Sequence, residues 1–188
     1  MGLFTRFELA ILDLIQAGSN PLLDKIMVDI STLGNLGIIW ICLIIVFLTS
    51  KEYKTIGQIL VLSFALNLII VNLGLKNIVG RTRPYNLKPG IDLLIPALSD
   101  GSFPSGHSSY AASFATVVLV MAKSKALKVF TSTLAILIAI SRLYLYVHFP
   151  SDVIGGIVVG FLISTLAMKF YFSDEFKETR NKMNLQRK

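Results

Sequence analysis

The 188-residue chain has the length of one domain, with 54% hydrophobic residues, 15% charged residues and a mean hydropathy of +0.69. Those values lie outside the range of soluble globular proteins and predict an all-α integral membrane protein. The net charge of +7 does not mark a nucleic-acid partner, because no basic block is interleaved with aromatics and the cations fall at the ends of apolar runs.

Residues 1–20 are expected to form an amphipathic helix at the membrane surface. Between Phe4 and Gln16 one face collects Phe4, Phe7, Ala10, Ile11, Leu14 and Ile15, while Thr5, Arg6, Glu8, Asp13 and Gln16 interrupt the rest. Glu8 and Asp13, and the lack of a preceding basic segment, argue against a signal peptide. A turn follows at Gly18-Ser19-Asn20-Pro21, with Asn20 or Ser19 as helix cap and Pro21 at the first helical position. Leu22 to Leu48 is long enough to cross a bilayer as one broken or tilted helix, interrupted at Gly34-Asn35-Leu36-Gly37. Cys42 lies inside it, so no intrachain disulfide forms, and the thiol reads as a packing residue.

Four further apolar runs, about 55–75, 105–122, 126–147 and 153–172, each approach the ~20 residues that a span requires. The expectation is therefore a bundle of five transmembrane helices over residues 21–172, six if the N-terminal helix inserts. Gly156 and Gly160, beside Gly155, predict a close helix approach. Residues 173–188 read as a basic, frayed tail. With five spans, one side of the membrane holds eleven of the 18 basic residues and the other holds Lys76, Arg81, Arg83, Lys88 and Arg142. The bias of positive charge toward the cytoplasm puts the tail inside and the second group on the extracytoplasmic face of the cell membrane.

The chemistry-bearing residues lie on that outer face. His148 precedes Asp152 by four residues across the Phe149-Pro150 break, so the carboxylate is expected to accept a hydrogen bond from one imidazole nitrogen and leave the other free as base or nucleophile. A His-Asp pair at a helix junction is more often structural than catalytic, so the neighbours decide. Arg142 adds a fixed charge suited to a phosphate oxyanion. Lys76 and Arg83, seven residues apart, are expected two turns apart on one helix until Pro84 ends it; without other signals they would read as residues reaching for lipid headgroups. Arg81 is a third phosphate contact or a surface charge, and its place in the run favours the surface. Phe103-Pro104-Ser105-Gly106-His107 opens another helix, where backbone amides bind anions and His107 is placed to donate a proton. Both histidines of the chain thus fall at outward-facing helix junctions beside cations. Asp92 and Asp100, in the loop from Tyr85 to Ser102, read as solvated. The loop's Leu93, Leu94, Ile95 and Leu98 either touch lipid chains or sit at the interface.

Lys76 with Arg83-Pro84, then Pro104-Ser105-Gly106-His107, then Ser141-Arg142 with His148 and Asp152, resembles the three-part signature of the type 2 phosphatidic acid phosphatase superfamily of membrane lipid phosphatases. The match in order, identity and spacing extends over about residues 22–172. The resemblance implies a phosphohistidine mechanism without metal or other cofactor. In it His148 is the nucleophile, Asp152 orients it, His107 is the acid and then the base, and Lys76, Arg83, Ser105, Gly106 and Arg142 hold the phosphoryl oxygens. It implies as substrate a lipid phosphate or diphosphate, such as undecaprenyl diphosphate, phosphatidylglycerophosphate or phosphatidate, drawn from the surrounding membrane lipids with no obligatory protein partner. Two other readings are a lipid phosphotransferase and a non-catalytic protein that binds or transports phospholipid. Only the catalytic readings need the histidine pair.

Overall fold

The computed structural model describes residues 2–173, which are all-helical with no strand among them; the tail expected over 173–188 lies outside the described residues apart from Ser173. Helix α1 (Leu3–Gln16) is followed by α2 (Pro21–Leu33), whose start is the expected one: Pro21 occupies the first turn and Asn20 Oδ1 accepts from Leu23 N at 3.0 Å. A 3₁₀ turn at Asn35–Gly37, ending in Gly37 at φ 71°, leads into α3 (Ile38–Thr49). The axes of α2 and α3 differ by 51°. Helix α4 (Lys54–Asn67) runs without interruption into a π-helical segment, Leu68–Leu75, and then α5 (Lys76–Val79). After the short α6 (Pro84–Leu87) and a long loop come α7 (Gly106–Met121), α8 (Lys125–Tyr144) and α9 (Pro150–Tyr171).

Three helical runs are long and apolar enough to cross a bilayer: Lys54–Leu87, Lys125–Tyr144 and Pro150–Phe172. The bent pair α2–α3 makes a fourth if it is one span. Helix α7, at 16 residues, is shorter than the usual span and packs against α3, α4, α8 and α9. The fold is thus an all-helical membrane bundle.

Two local chemistries hold α7 in place. Toward α9, the expected glycines permit close approach: a Cβ on Gly156 would stand 2.5 Å from Ser105 O, and one on Gly160 would collide with Ser109 O. Toward α4, a buried polar seam joins the helices. Ser63 Oγ and Ser113 Oγ are 2.6 Å apart, Asn67 Nδ2 donates to Ser113 Oγ at 3.1 Å, and Asn67 Oδ1 accepts from Ser109 Oγ at 2.5 Å. Apolar packing around Trp40, Phe47, Ile59, Phe114 and Val118 completes the core.

One expectation is corrected: Cys42 is exposed on α3 beside Ile41 and Ile45 instead of packing inside. In α1 the buried residues are Glu8, Leu9 and Leu12, while Phe4, Phe7 and Leu14 of the expected apolar face point away from the bundle. Around a membrane bundle the exterior is itself apolar, so hydrophobicity does not mark the inward face.

Candidate active site

The site forms where α5, α7, α8 and α9 end, under the 88–105 loop. Gly80, at φ 54°, stops α5, and residues 81–83 run extended into Pro84. Lys76 and Arg83 are therefore not on one helix, as their spacing suggested. The chain turns back at Gly80 and brings them to the same place by a different route. There Lys76 Nζ and Arg83 Nη2 both bond the carboxylate of Asp100, Arg83 at 2.6 Å. Arg83 also donates to Asp100 O at 3.0 Å, Val147 O at 2.8 Å and Gly101 O at 3.3 Å. Asp100, expected to be solvated, is thus the counter-ion of the cation pair. Burial alone would raise its carboxyl, but hydrogen bonds and charge from Lys76 and Arg83 outweigh that and hold it down at about 2. Asp92 remains exposed, as expected.

Helix α7 begins beside this pair. Ser105 caps it, accepting from Ser108 N at 3.3 Å, and Ser105 N donates to Asp152 O at 3.0 Å, which ties the α7 and α9 starts together. A Cβ on Gly106 would lie 3.9 Å from Lys76 Nζ, so the lysine ammonium sits against the helix N-terminus. The peptide Phe103–Pro104 is cis. His107 projects to the other side, where its Nε2 is 3.1 Å from Asn35 Oδ1 and its ring abuts Gly34 so closely that a Cβ there would stand 2.6 Å from Cδ2.

Arg142, in the last turn of α8, is 1% exposed; its Nη1 bonds Ser31 Oγ, its Nε has no partner, and no carboxylate among the described residues pairs with it. A buried guanidinium without a counter-ion is an anion site in waiting. The segment 145–149 then places His148. Tyr146 adopts a left-handed backbone (φ 59°), a conformation that costs a side-chain-bearing residue ~1–2 kcal/mol. It is held there by packing against Leu9, Leu12 and Phe149 and by its hydroxyl donating to Asp13 at 2.8 Å.

His148 is 1% exposed. Its Nε2 lies 3.4 Å from Arg83 Nη1, and because a guanidinium only donates, Nε2 is the lone-pair nitrogen and Nδ1 carries the proton. Nδ1 faces Asp152 Oδ2 at 3.6 Å. That is beyond hydrogen-bond length, so the expected bond is a close charge contact in this structure, and Nδ1 has no other partner. Burial is the largest influence on the ring and pushes it down to about 3; Asp152 pulls upward, and the charges of Arg142 and Arg83 add to the depression. The imidazole is neutral at physiological pH, with Nε2 toward the cations.

Asp152 is densely held. Oδ2 accepts from Ser102 Oγ at 2.5 Å and from Phe149 N at 2.8 Å, capping α9, while Oδ1 accepts from Arg81 Nη1 at 2.5 Å. Arg81, expected at the surface, is therefore bound to the carboxylate behind His148. The loop is held down as well. Tyr85 OH donates to Leu98 O at 2.8 Å, and Leu93, Ile95 and Leu98 pack on Tyr144, Leu145 and Val147, leaving only Leu94 of these four apolar residues exposed. Sequence reasoning missed Ser102 and Asn35, read Asp100 as solvated and favoured the surface for Arg81. The one available signal was that Asp100 and Ser102 stand a few residues before the Pro104-Ser105-Gly106-His107 run. Among the described residues no three His, Cys, Asp or Glu side chains gather as metal ligands would.

Buried His148, Asp152 behind it and Arg83 beside its Nε2 thus share one end of the bundle with Lys76, Arg142 and His107. The family model of the PAP2 superfamily matches residues 57–175, and the chain belongs to that superfamily. The chain is 30% identical over 172 residues to the undecaprenyl-diphosphatase of Sulfolobus acidocaldarius, covering 92% of this chain and 82% of that one. It is 30% identical over 175 residues to phosphatidylglycerophosphatase B of Bacillus subtilis, covering 86% and 81%. Among crystal structures, LpxE of Aquifex aeolicus superposes with a TM-score of 0.76 at 31% identity, over 86% of this chain and 94% of that one. A transmembrane PAP2-type phosphatidylglycerolphosphate phosphatase of Bacillus subtilis does so with a TM-score of 0.73 at 28% identity, over 90% and 87%.

Proposed function

We propose that the protein is a lipid phosphatase that cleaves a phosphate or diphosphate headgroup through a phosphohistidine, without a metal. The observation that carries this reading is buried His148 with its Nε2 against Arg83, in a cation cluster where Lys76 shares Asp100 with Arg83 and the guanidinium of Arg142 is buried without a carboxylate. In the proposed reaction the phosphoryl oxygens take the place of Asp100 on Lys76 and Arg83 and bond Arg142, with the Gly106 amide as a further donor; the Ser105 amide, expected to join it, is instead held by Asp152 O. His148 Nε2 attacks phosphorus, the bond to the leaving oxygen breaks, and that oxygen takes a proton from His107. His107 then takes a proton from water, whose oxygen attacks phosphorus; the P–N bond breaks, releasing inorganic phosphate and neutral His148. Asp152 faces the Nδ1 proton throughout and offsets the charge the ring gains on attack.

Undecaprenyl diphosphate ranks first as substrate, phosphatidylglycerophosphate second and phosphatidate third. The names of the two curated relatives support the first two. The basic-residue bias supports an arrangement with five crossings, α7 among them, α1 on the outer surface, the site extracytoplasmic and the tail cytoplasmic. Purified protein in excess chelator is expected to release phosphate from at least one of these lipids, and His148→Ala to lose at least about 10³-fold in kcat. Chelator-sensitive release, or a His148→Ala variant with intact turnover, would refute the mechanism. Absence of release from all three lipids would favour transfer to another acceptor or a binding role.

A further inference from the structure

Glu8 and Arg81 form the centre of a buried ion chain that the reaction as described does not use. Glu8 is 2% exposed, although it stands on a helix whose outward residues are apolar. Its Oε1 accepts from Ser151 N and Ser151 Oγ at 2.9 and 2.6 Å, and its Oε2 accepts from Arg81 Nη2 at 2.6 Å. Arg81 Nη1 donates to Asp152 Oδ1 at 2.5 Å and Ser151 Oγ at 2.6 Å, and its guanidinium stacks 4.1 Å over the Phe149 ring. From α1 to His148 the order is carboxylate, guanidinium, carboxylate, imidazole. Burying a carboxylate costs several kcal/mol unless it is paired and fully bonded, and docking an amphipathic helix requires only apolar contacts such as those of Leu9 and Leu12. A buried Glu8 therefore calls for an electrical reason.

The count of charges supplies one. Arg81 and Asp152 alone would be a neutral pair, leaving little net negative charge beside Nδ1 when the ring becomes positive on bonding phosphorus. With Glu8 the group carries one net negative charge, directed at His148 through Asp152. We infer that Glu8 and Arg81 are positioning residues for phosphoryl transfer: Arg81 fixes Asp152, and Glu8 offsets the guanidinium so that Asp152 keeps its hold on the His148 ring. The inference rests on the phosphohistidine reading. It also gives α1 a part in the chemistry, as the carrier of a charge that no other element brings to this group.

The test uses the full chain in detergent with dioctanoyl phosphatidate as substrate and two inhibitors. Orthovanadate bonds the nucleophile in a trigonal-bipyramidal form and senses its electronic support, whereas inorganic phosphate senses mainly the cations. Glu8→Gln, nearly isosteric, is expected to lower kcat about 10-fold and raise the vanadate inhibition constant by a similar factor, with KM and the phosphate constant within about 2-fold of wild type. Arg81→Gln is expected to lower kcat about 100-fold, since it frees Asp152 and strands Glu8. The double variant is expected to be no worse than Arg81→Gln alone, because the stranded charge is gone. Normal kcat and vanadate inhibition in Glu8→Gln would overturn the inference, as would parallel weakening of vanadate and phosphate, the mark of a purely structural role. His148→Ala is run alongside. If it still turns over, the phosphohistidine reading has failed, a result separate from any outcome at Glu8.

Discussion

The two histidines of the site are held in opposite ways. His148 is buried, and the residues beside it are bonded from every side: Arg83 to Val147 O, Phe149 N to Asp152, and Asp152 to Ser102 and Arg81. His107 is only half-buried and has one side-chain partner, Asn35, on the 3₁₀ turn between α2 and α3. The difference fits the proposed division of labour. A nucleophile must stand in line with the leaving group and gains from being over-determined. A group that gives a proton to one oxygen and takes it from another must serve two positions, and contacts to Asn35 and the Ser31 backbone, without a carboxylate, hold it less tightly than His148 is held.

The contrast can be broken by substitution. His107→Ala is expected to lower kcat about 10²–10⁴-fold while inhibition by phosphate stays within a few-fold, because Lys76, Arg83 and Arg142 remain to hold the anion. A loss of phosphate inhibition of the same size would place His107 among the binding groups. A smaller effect is expected at Asp100. Asp100→Asn removes the negative rival for Lys76 and Arg83, so KM and the phosphate inhibition constant should fall several-fold; a rise would mean that Asp100 chiefly holds Arg83 in place. The sign with pH follows from the depressed carboxyl. The Asp100 contact is complete above its ordinary value of 3.8 and fades as pH falls toward about 2, so amide exchange in the 88–104 loop should speed up over that interval only when Asp100 is present. The smallest effect lies away from both histidines, at Asn67, whose truncation to Ala leaves Ser109 and Ser113 short of a partner. It is expected to cost about 1–3 kcal/mol in stability, read as an earlier unfolding midpoint in denaturant, with kcat preserved in the folded fraction.

What was legible in the sequence followed from chemistry carried locally. Asn20 before Pro21 and the break at Gly34 to Gly37 act within one or two helical turns, and each has its expected counterpart in the fold. The four-residue step from His148 to Asp152 brings the two together, though at 3.6 Å and not in the expected hydrogen bond, and Gly156 and Gly160 were legible because small residues suit any close helix approach. Arg81 and Asp100 were misread, and the role of Glu8 went unseen, because a charge looks the same in sequence whether it is solvated or paired. Arg81 meets residues 70 to 73 positions away, and Glu8 meets Ser151 across 143. The convergence of Lys76 and Arg83 was anticipated for the wrong reason, since a left-handed glycine and not a continuous helix brings them together. The face of α3 that carries Cys42 was illegible on physical grounds, because a lipid exterior accepts the same side chains as a protein interior.

The seam between α4 and α7 also bears on how the molecule is assembled. Ser63 and Asn67 enter the bilayer first in chain order, and until α7 arrives the Asn67 amide has only the carbonyl of Ser63 to bond, at 2.9 Å. Hydrocarbon offers no other partner, so α4 is driven to take up α7 as soon as Ser109 and Ser113 are within reach. That pairing would set Lys76 and His107 in a common frame before α8 and α9 join them. Lys76, Arg83 and His107 would then form a template to which α8 adds Arg142, and the segment after it adds His148.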